Sequence, residues 1–170
     1  TFRALLRISE IEGSARRSNF SLVGFNKICA DAVELFEPLA DERGMSLEFK
    51  PCEGVDTVMG DSQLLFDAVC NLIDNAIKFS PDGSEVEVKV SADANNCGIT
   101  IRDHGPGIPE EEREAVFRRL YRSESSRHTP GNGLGLSMVS AVARLHDMSL
   151  QVHDARPGCR VDLIGKAQNA

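Results

Sequence analysis

Apolar residues recur every three or four positions in four segments, which predicts four amphipathic helices. These segments are residues 2–12, 26–43, 61–79 and 134–146. Asn26 and Asp61 are of the types that cap helix N-termini, and Gly44 is of the type that ends a helix. We therefore expect one helix from Asn26 to Arg43 and another, opened by Asp61, that ends before Pro81.

Other segments alternate apolar and polar residues, which is the pattern of half-buried strands. They are residues 45–50, 84–92, 97–103, 149–154 and 159–165, with 54–59 as a weaker candidate. Helices and strands interleave along the chain, and several strands form hairpin-like pairs. This order predicts one α/β (α+β) two-layer sandwich, in which a mixed, mainly antiparallel sheet carries its helices on one face.

Composition narrows the class of protein. The 170 residues are enough for one domain with a core, and no apolar run approaches the length of a membrane span. The net charge of −7 argues against a general nucleic-acid binder. Five cysteines without a Cys-x-x-Cys pair favour reduced thiols over a zinc site. Because the sequence opens in the middle of a helical pattern, we expect a fragment of a longer protein.

The helix predicted over residues 61–79 has two chemically distinct sides. Six apolar residues share one broad face: Leu65, Val69, Leu72, Ile73, Ala76 and Ile77. The opposite side, an arc of about 80°, holds Asp67, Asn71, Asn75 and Lys78. A solvated outer face would explain this pattern equally well. The residue types favour a further role, because an amide oxygen suits Mg²⁺ and a lysine suits phosphate.

Two glycine clusters lie in the second half of the chain. DHGPGIP, residues 103–109, ends a strand, and GNGLGL, residues 131–136, opens a helix. Glycine at a helix N-terminus lets phosphate approach the backbone N–H groups, so the second cluster is a candidate phosphate site. A Rossmann or Walker loop does not fit, because no strand precedes Gly131 and no Gly-Lys-Ser/Thr follows. Asp103 either accepts a hydrogen bond from an amine such as that of adenine, or serves as a turn residue.

Taken in order, four stretches resemble the motifs of the catalytic, ATP-binding domain of sensor histidine kinases. NLIDNAIKFS is similar to the asparagine box, DHGPGIP to the first glycine box, VFRRLYR to the phenylalanine box and GNGLGLSMV to the second glycine box. The wider superfamily includes gyrase, the heat-shock chaperone and mismatch-repair ATPases. The resemblance covers residues 18–165 and implies the Bergerat ATP-binding fold. Residues 1–17 resemble the end of the second helix of the dimerisation and phosphoacceptor hairpin, followed by a linker.

The resemblance implies a role for each matching residue and implies ATP and Mg²⁺ as cofactors. In the catalytic set, Asn75 coordinates Mg²⁺, Lys78 contacts phosphate, and Asn71 lies on the same side. Asp103 holds the adenine amino group. The nucleotide-binding set continues with Gly105, Gly107, Ile108, Arg122, Gly131, Gly133, Leu134 and Gly135, and Arg127 is a second arginine candidate. Residues 110–132 form a lid that Phe117 packs onto the body of a catalytic domain over 18–170.

The sequence departs from the family pattern at several positions. Leu120 stands where a second phenylalanine is usual, and His146–Asp147 stands where many members have His-Gly-Gly. No histidine of this chain lies where the phosphoacceptor belongs, so we expect the acceptor outside it. Asn71 stands where ATP-hydrolysing relatives carry a glutamate that activates water, which favours phosphoryl transfer over hydrolysis.

The resemblance implies the catalytic half of a two-component sensor histidine kinase, which transfers the γ-phosphate of ATP to a histidine. Its expected partners are its own dimerisation and phosphoacceptor domain, a response regulator or phosphotransfer protein, and a second copy in a full-length homodimer. We expect a cytoplasmic location, with anchoring of the full-length protein in the inner membrane left open. The alternatives are a degenerate kinase that acts as a nucleotide-binding or interaction module, an ATP hydrolase of the same superfamily, and a serine kinase that acts on an anti-sigma antagonist.

Overall fold

The alternating and helical segments form separate elements in the computed structural model, which describes residues 19–106, 110–112 and 135–169. In chain order these are β1 (Ser21–Gly24), α1 (Phe25–Glu42), β2 (Ser46–Lys50), β3 (Thr57–Gly60), α2 (Ser62–Phe79), β4 (Glu85–Ala92), β5 (Asn96–Arg102), a 3-10 turn (Glu110–Glu112), α3 (Gly135–Leu145), β6 (Ser149–Asp154) and β7 (Cys159–Lys166). The three predicted helices that fall on described residues are therefore present. The helix predicted over residues 2–12 lies outside the described residues.

The main sheet has five strands in the order β2-β4-β5-β7-β6. Strand β2 pairs with β4 in parallel, and the other three pairings are antiparallel. The prediction of a mixed, mainly antiparallel sheet is thus confirmed. The sequence did not predict β1, which pairs antiparallel with β3 in a separate two-stranded sheet, with Leu22 opposite Met59.

One face of the main sheet packs against the helices and forms the core. The valines of β4, Val86, Val88 and Val90, are buried, as predicted from their alternation. The apolar face of α2 is buried with them, including Leu65, Val69, Ile73 and Ile77. This burial supplies the main stabilisation of a two-layer domain and fixes which side of α2 remains available to other groups.

The start of α1 differs from the prediction. Gly24, not Asn26, is the N-cap residue, and it makes no side-chain hydrogen bond to the helix. Asp56 instead accepts the backbone N–H of Asn26 with Oδ2 at 2.9 Å, where a carboxylate complements the positive end of the helix dipole. The side chain of Asn26 binds the backbone of Cys52, donating to its carbonyl at 2.9 Å and accepting from its N–H at 3.0 Å.

Helices α1 and α3 end in the same hydrogen-bonded turn. After α1, Gly44 donates to the carbonyl of Asp41 and Met45 donates to that of Ala40. After α3, Asp147 and Met148 make the equivalent bonds to Arg144 and Ala143. This pair of hydrogen bonds requires a residue of positive φ at the turn. That residue is Gly44, at φ 63, after α1 and Asp147, at φ 53, after α3.

The cysteines are all free thiols. Burial raises the pKa of both Cys29 and Cys97 to about 12, so these two are protonated packing residues at neutral pH. Within the described part of the chain, no helix is long and apolar enough to cross a membrane.

Candidate functional site

Helix α2 presents the polar residues that the sequence singled out. Asp61 caps it as predicted, and its carboxylate accepts the N–H groups of Gln63 at 3.0 Å and Leu64 at 3.1 Å. The cap satisfies two of the helix's orphan donors and fixes where the helix begins. Because the apolar face of α2 is buried against the sheet, Asn71, Asn75 and Lys78 lie on its accessible side, half-buried or exposed.

These three side chains differ in what they contact. Asn71 donates from Nδ2 to the Met138 sulfur at 3.0 Å, which joins α2 to α3. Lys78 Nζ lies 2.9 Å from a carboxylate oxygen of Asp74, one helical turn earlier. The amide of Asn75 makes no hydrogen bond to any residue that the structure describes. Among the described residues, the amide oxygens of Asn71 and Asn75 both accept no hydrogen bond, and Asn75 differs in that its NH₂ group also donates none.

Asp103 lies in the turn after β5, where the first glycine cluster begins, and its side chain is half-buried. Its Oδ1 accepts the N–H groups of Gly105 at 2.9 Å and Cys159 at 3.1 Å. Burial raises the pKa of this carboxyl, and the two backbone N–H groups partly oppose that rise. Its Oδ2 accepts no hydrogen bond from the described residues, so Asp103 combines the turn role with an oxygen that can accept from a ligand.

Close packing around Asp103 depends on two glycines. A Cβ on Gly158, whose φ is 95, would lie 2.0 Å from the backbone oxygen of Asp103. A Cβ on Gly105 would lie 2.3 Å from the carbonyl oxygen of Phe79, the last residue of α2. His104 adds a bond from its N–H to Ser80 Oγ at 3.4 Å. The Asp103 turn therefore rests directly on the C-terminal end of the helix that carries Asn75 and Lys78.

The remaining predicted residues are only partly placed. Gly135 is the first residue of α3, so the second glycine cluster does lead into a helix as predicted. The other members of the predicted set lie outside the described residues: Gly107, Ile108, Arg122, Gly131, Gly133 and Leu134, together with Phe117, Arg127 and most of the expected lid.

Sequence reasoning missed two residues that hold α2 in place. Arg43, just after α1, donates to the carbonyls of Ile77 and Ser80 at the end of α2. His146, just after α3, accepts the backbone N–H of Asp61 at the start of α2. A basic residue beside Gly44 was a visible helix-end signal for α1, but nothing local indicated that its side chain reaches a second helix.

Known proteins share the sequence of much of this chain. Residues 60–167 match the family described as histidine kinase-, DNA gyrase B-, and HSP90-like ATPase. The chain is 47% identical over 102 residues to the signal transduction histidine-protein kinase/phosphatase MprB of Mycolicibacterium smegmatis, a match that covers 59% of this chain and 21% of MprB. It is 34% identical over 156 residues to the sensor-like histidine kinase SenX3 of the same organism, a match that covers 91% of this chain and 40% of SenX3.

Solved structures share the fold. A mycobacterial sensor histidine kinase MprB superposes with a TM-score of 0.77 at 31% identity, covering 89% of this chain and 99% of that one. Full-length ShkA, solved in complex with AMPPNP, superposes with a TM-score of 0.86 at 22% identity, and the match covers 98% of this chain and 35% of that one. At this low identity, the match is evidence for a shared fold only. The chain thus spans 21% of MprB and 40% of SenX3. It belongs to the histidine kinase-, DNA gyrase B- and HSP90-like ATPase family, within the sensor histidine kinases.

Proposed function

We propose that this chain is the catalytic half of a two-component sensor histidine kinase, which binds Mg-ATP and delivers the γ-phosphate to a histidine on the dimerisation and phosphoacceptor domain. The observation that carries the proposal is that the turn with Asp103 packs on the end of the helix that carries Asn75. Both side chains are half-buried, and each leaves an oxygen that no described residue engages.

Asp103 suits the adenine end of the nucleotide. A carboxylate with Oδ1 fixed by two backbone N–H groups presents Oδ2 in one direction. An ionised carboxylate only accepts hydrogen bonds, so it is matched to a donor such as the exocyclic amine of adenine. Gly105 permits this turn to lie against α2, which would place the base beside that helix.

Asn75 and Lys78 suit the phosphate end. The amide oxygen of Asn75 is a hard ligand that would hold Mg²⁺, and the ion would supply charge neutralisation there. Lys78 pairs with Asp74 on an exposed helix surface. Such a pair is worth only about 0.2–0.5 kcal/mol, so Lys78 can exchange Asp74 for a phosphate at little cost.

The proposal also covers segments that lie mostly outside the described part of the chain. We assign residues 1–17 to the end of the dimerisation hairpin and its linker, and residues 110–132 to a lid that brings Arg122 over the phosphates. Gly107, Ile108, Gly131, Gly133 and Leu134 line the nucleotide on this proposal, with Gly135 at the start of α3. On this proposal, the catalytic half works in the cytoplasm as part of a homodimer of the full-length protein, whether or not that protein is anchored in the inner membrane.

The downstream partner is proposed to be a response regulator. Histidine kinase ThkA, a structural neighbour, was solved in complex with the response regulator protein TrrA, which supports this class of partner. The hydrolase alternative is disfavoured because Asn71 donates to Met138 and carries no group that could take a proton from water.

Two measurements test the proposed function. Calorimetric titration with AMPPNP and Mg²⁺ should show binding by the chain. Radiolabelled ATP should then transfer phosphate to a separately supplied hairpin domain from the same protein. An absence of binding at millimolar nucleotide would favour the interaction-module alternative, whereas steady phosphate release without the hairpin would favour a hydrolase.

A further inference from the structure

Arg43 joins the ends of two helices. Its backbone is the C-cap of α1, and its guanidinium extends to the end of α2. There Nη1 donates to the carbonyl of Ile77, Nη2 donates to that of Ser80, and Nε donates to Asp82 at 2.7 Å. The backbone reinforces the contact, since Gly83 donates its N–H to the carbonyl of Arg43 at 3.0 Å.

These bonds meet a specific need of α2. The last carbonyls of a helix have no partner within the helix, and they form the negative end of its dipole. A guanidinium supplies both several donors in a fixed fork and a positive charge, so it satisfies the carbonyls and complements the dipole together. Without Arg43, the end of α2 would lose both of these donors and the charge beside them.

That last turn is part of the proposed nucleotide site. It contains Lys78, and its final carbonyl, that of Phe79, is the atom against which Gly105 packs. Ser80, whose carbonyl Arg43 binds, also contacts the N–H of His104 through its hydroxyl. Arg43 is thus bonded to the turn that contains Lys78, the proposed phosphate ligand. Through Ser80 it is also connected to the turn that holds Asp103, although Arg43 lies outside the elements that carry either residue.

We propose that Arg43 is a positioning residue for nucleotide binding: it fixes the last turn of α2, and with it Lys78, from outside the nucleotide site. This inference rests on the proposed function. Asp103 is also anchored through Cys159 on β7, so loss of Arg43 should displace Lys78 more than Asp103. The affinity for Mg-ATP should therefore fall more than the affinity for adenosine.

The test compares Arg43→Ala with wild type at a temperature well below both melting points. We expect Mg-ATP to bind about tenfold more weakly, or about 1.4 kcal/mol, while adenosine affinity changes by less than about threefold. Hydrogen exchange at the amides ending α2 should accelerate. Arg43→Lys should restore part of the Mg-ATP affinity, because an ammonium keeps the charge but cannot reproduce the fork.

Two control variants separate this role from general effects of charge. Asp82→Ala removes the exposed partner of Arg43 Nε and leaves both carbonyl contacts, so it should bind Mg-ATP as wild type does. Lys27→Gln removes a cation from the other end of α1, where Lys27 pairs with Asp31, and should also match wild type.

The outcomes distinguish the two proposals. If wild type binds Mg-ATP and Arg43→Ala binds it equally well, Arg43 is a structural residue only and this inference is overturned. The inference is also overturned if Mg-ATP and adenosine affinities fall by equal factors. If wild type itself binds no nucleotide, the proposed function fails and this inference fails with it.

Discussion

His146 accepts a hydrogen bond on Nε2 from the backbone N–H of Asp61 at 3.0 Å, across 85 residues of sequence. Its other ring nitrogen lies 2.7 Å from the carbonyl of Val142. Since a carbonyl can only accept, Nδ1 carries the proton and the ring is in its neutral form. Phe20 stacks on the same ring at a centroid distance of 4.6 Å. One buried side chain therefore joins the end of α3, the N-cap of α2 and the segment that precedes β1.

Replacing His146 with alanine should destabilise the fold. The change leaves the Asp61 N–H without its acceptor and removes a buried ring, which together should cost about 2–4 kcal/mol. Urea denaturation followed by circular dichroism would measure the loss. His153→Ala is a suitable control, because the His153 side chain is 39% exposed and its partner Asp162 keeps Arg160 as a second contact, so the change should cost less than about 1 kcal/mol. Equal losses in the two variants would contradict the role assigned to His146.

Asp103→Asn should separate stability from nucleotide binding. The amide oxygen of asparagine can still accept the N–H groups of Gly105 and Cys159, so the turn should survive. The new NH₂ would face the adenine amine, placing donor against donor, and Mg-ATP affinity should fall at least about tenfold. Calorimetry on both proteins would measure this loss. Unchanged affinity would remove Asp103 from the adenine site.

The same variant should alter how stability depends on pH. The pKa of Asp103 is raised in the folded state from its ordinary value of 3.8, because burial disfavours the charged form. Its contribution to stability is present below the unfolded pKa and is lost as pH rises through the folded pKa. Asp103→Asn removes this loss, so its stability relative to wild type should be greater at pH 7 than at pH 3. A constant difference across that range would contradict the raised pKa.

Asn75 and Asn71 should respond differently to substitution. Asn75→Ala removes the proposed magnesium ligand, so it should weaken nucleotide binding in the presence of Mg²⁺ by about tenfold or more and have little effect in EDTA. Fluorescent-nucleotide titration measures this effect.

Asn71→Glu places a possible base for water at the neighbouring turn, so phosphate release without an acceptor domain should equal or exceed that of wild type. A phosphate-release assay measures the hydrolysis rate of Asn71→Glu against that of wild type. A lower hydrolysis rate in Asn71→Glu would show that this position does not set the choice between kinase and hydrolase.

Gly44→Ala should destabilise the chain. Gly44 adopts φ 63 at the turn that ends α1, and this left-handed conformation favours glycine over alanine by about 1 kcal/mol. A Cβ at Gly44 would meet open space, so the cost should come from the backbone alone. Thermal unfolding of the variant and wild type would measure this loss. Unchanged stability would contradict the backbone cost assigned to this turn.

Much of the fold could be predicted from local patterns. The burial of Leu65, Val69 and Ile73 follows from helical periodicity, and that of Val86 and Val88 from alternation. Each pattern is repeated over several turns or residue pairs, so one exception does not hide it. The polar side of α2 was predicted for the same reason, since the side opposite a buried face must be accessible.

Short strands, and contacts between residues far apart in the sequence, had no such local pattern. Strand β1 has only four residues, and β2 gives no local sign that its neighbour runs parallel to it. Asn26 looks like a helix cap by residue type. The carboxylate of Asp56, 30 residues away in the sequence, instead accepts the backbone N–H at the start of the helix. Residue type alone cannot report a competitor that arrives through tertiary folding.

By itself, the sequence determined the described elements other than β1, the face that each of them buries and the side chains that could bind a nucleotide. All of these depend on periodicity or on chemistry within a few adjacent residues. Only the tertiary structure decided that Arg43 and His146 hold the two ends of α2, and that Asp103 rests on its last turn. Those relationships depend on where separate elements meet in space. Arg43 and Ile77 are 34 positions apart, and Asp61 and His146 are 85 apart, so no local periodicity in the sequence indicates these contacts.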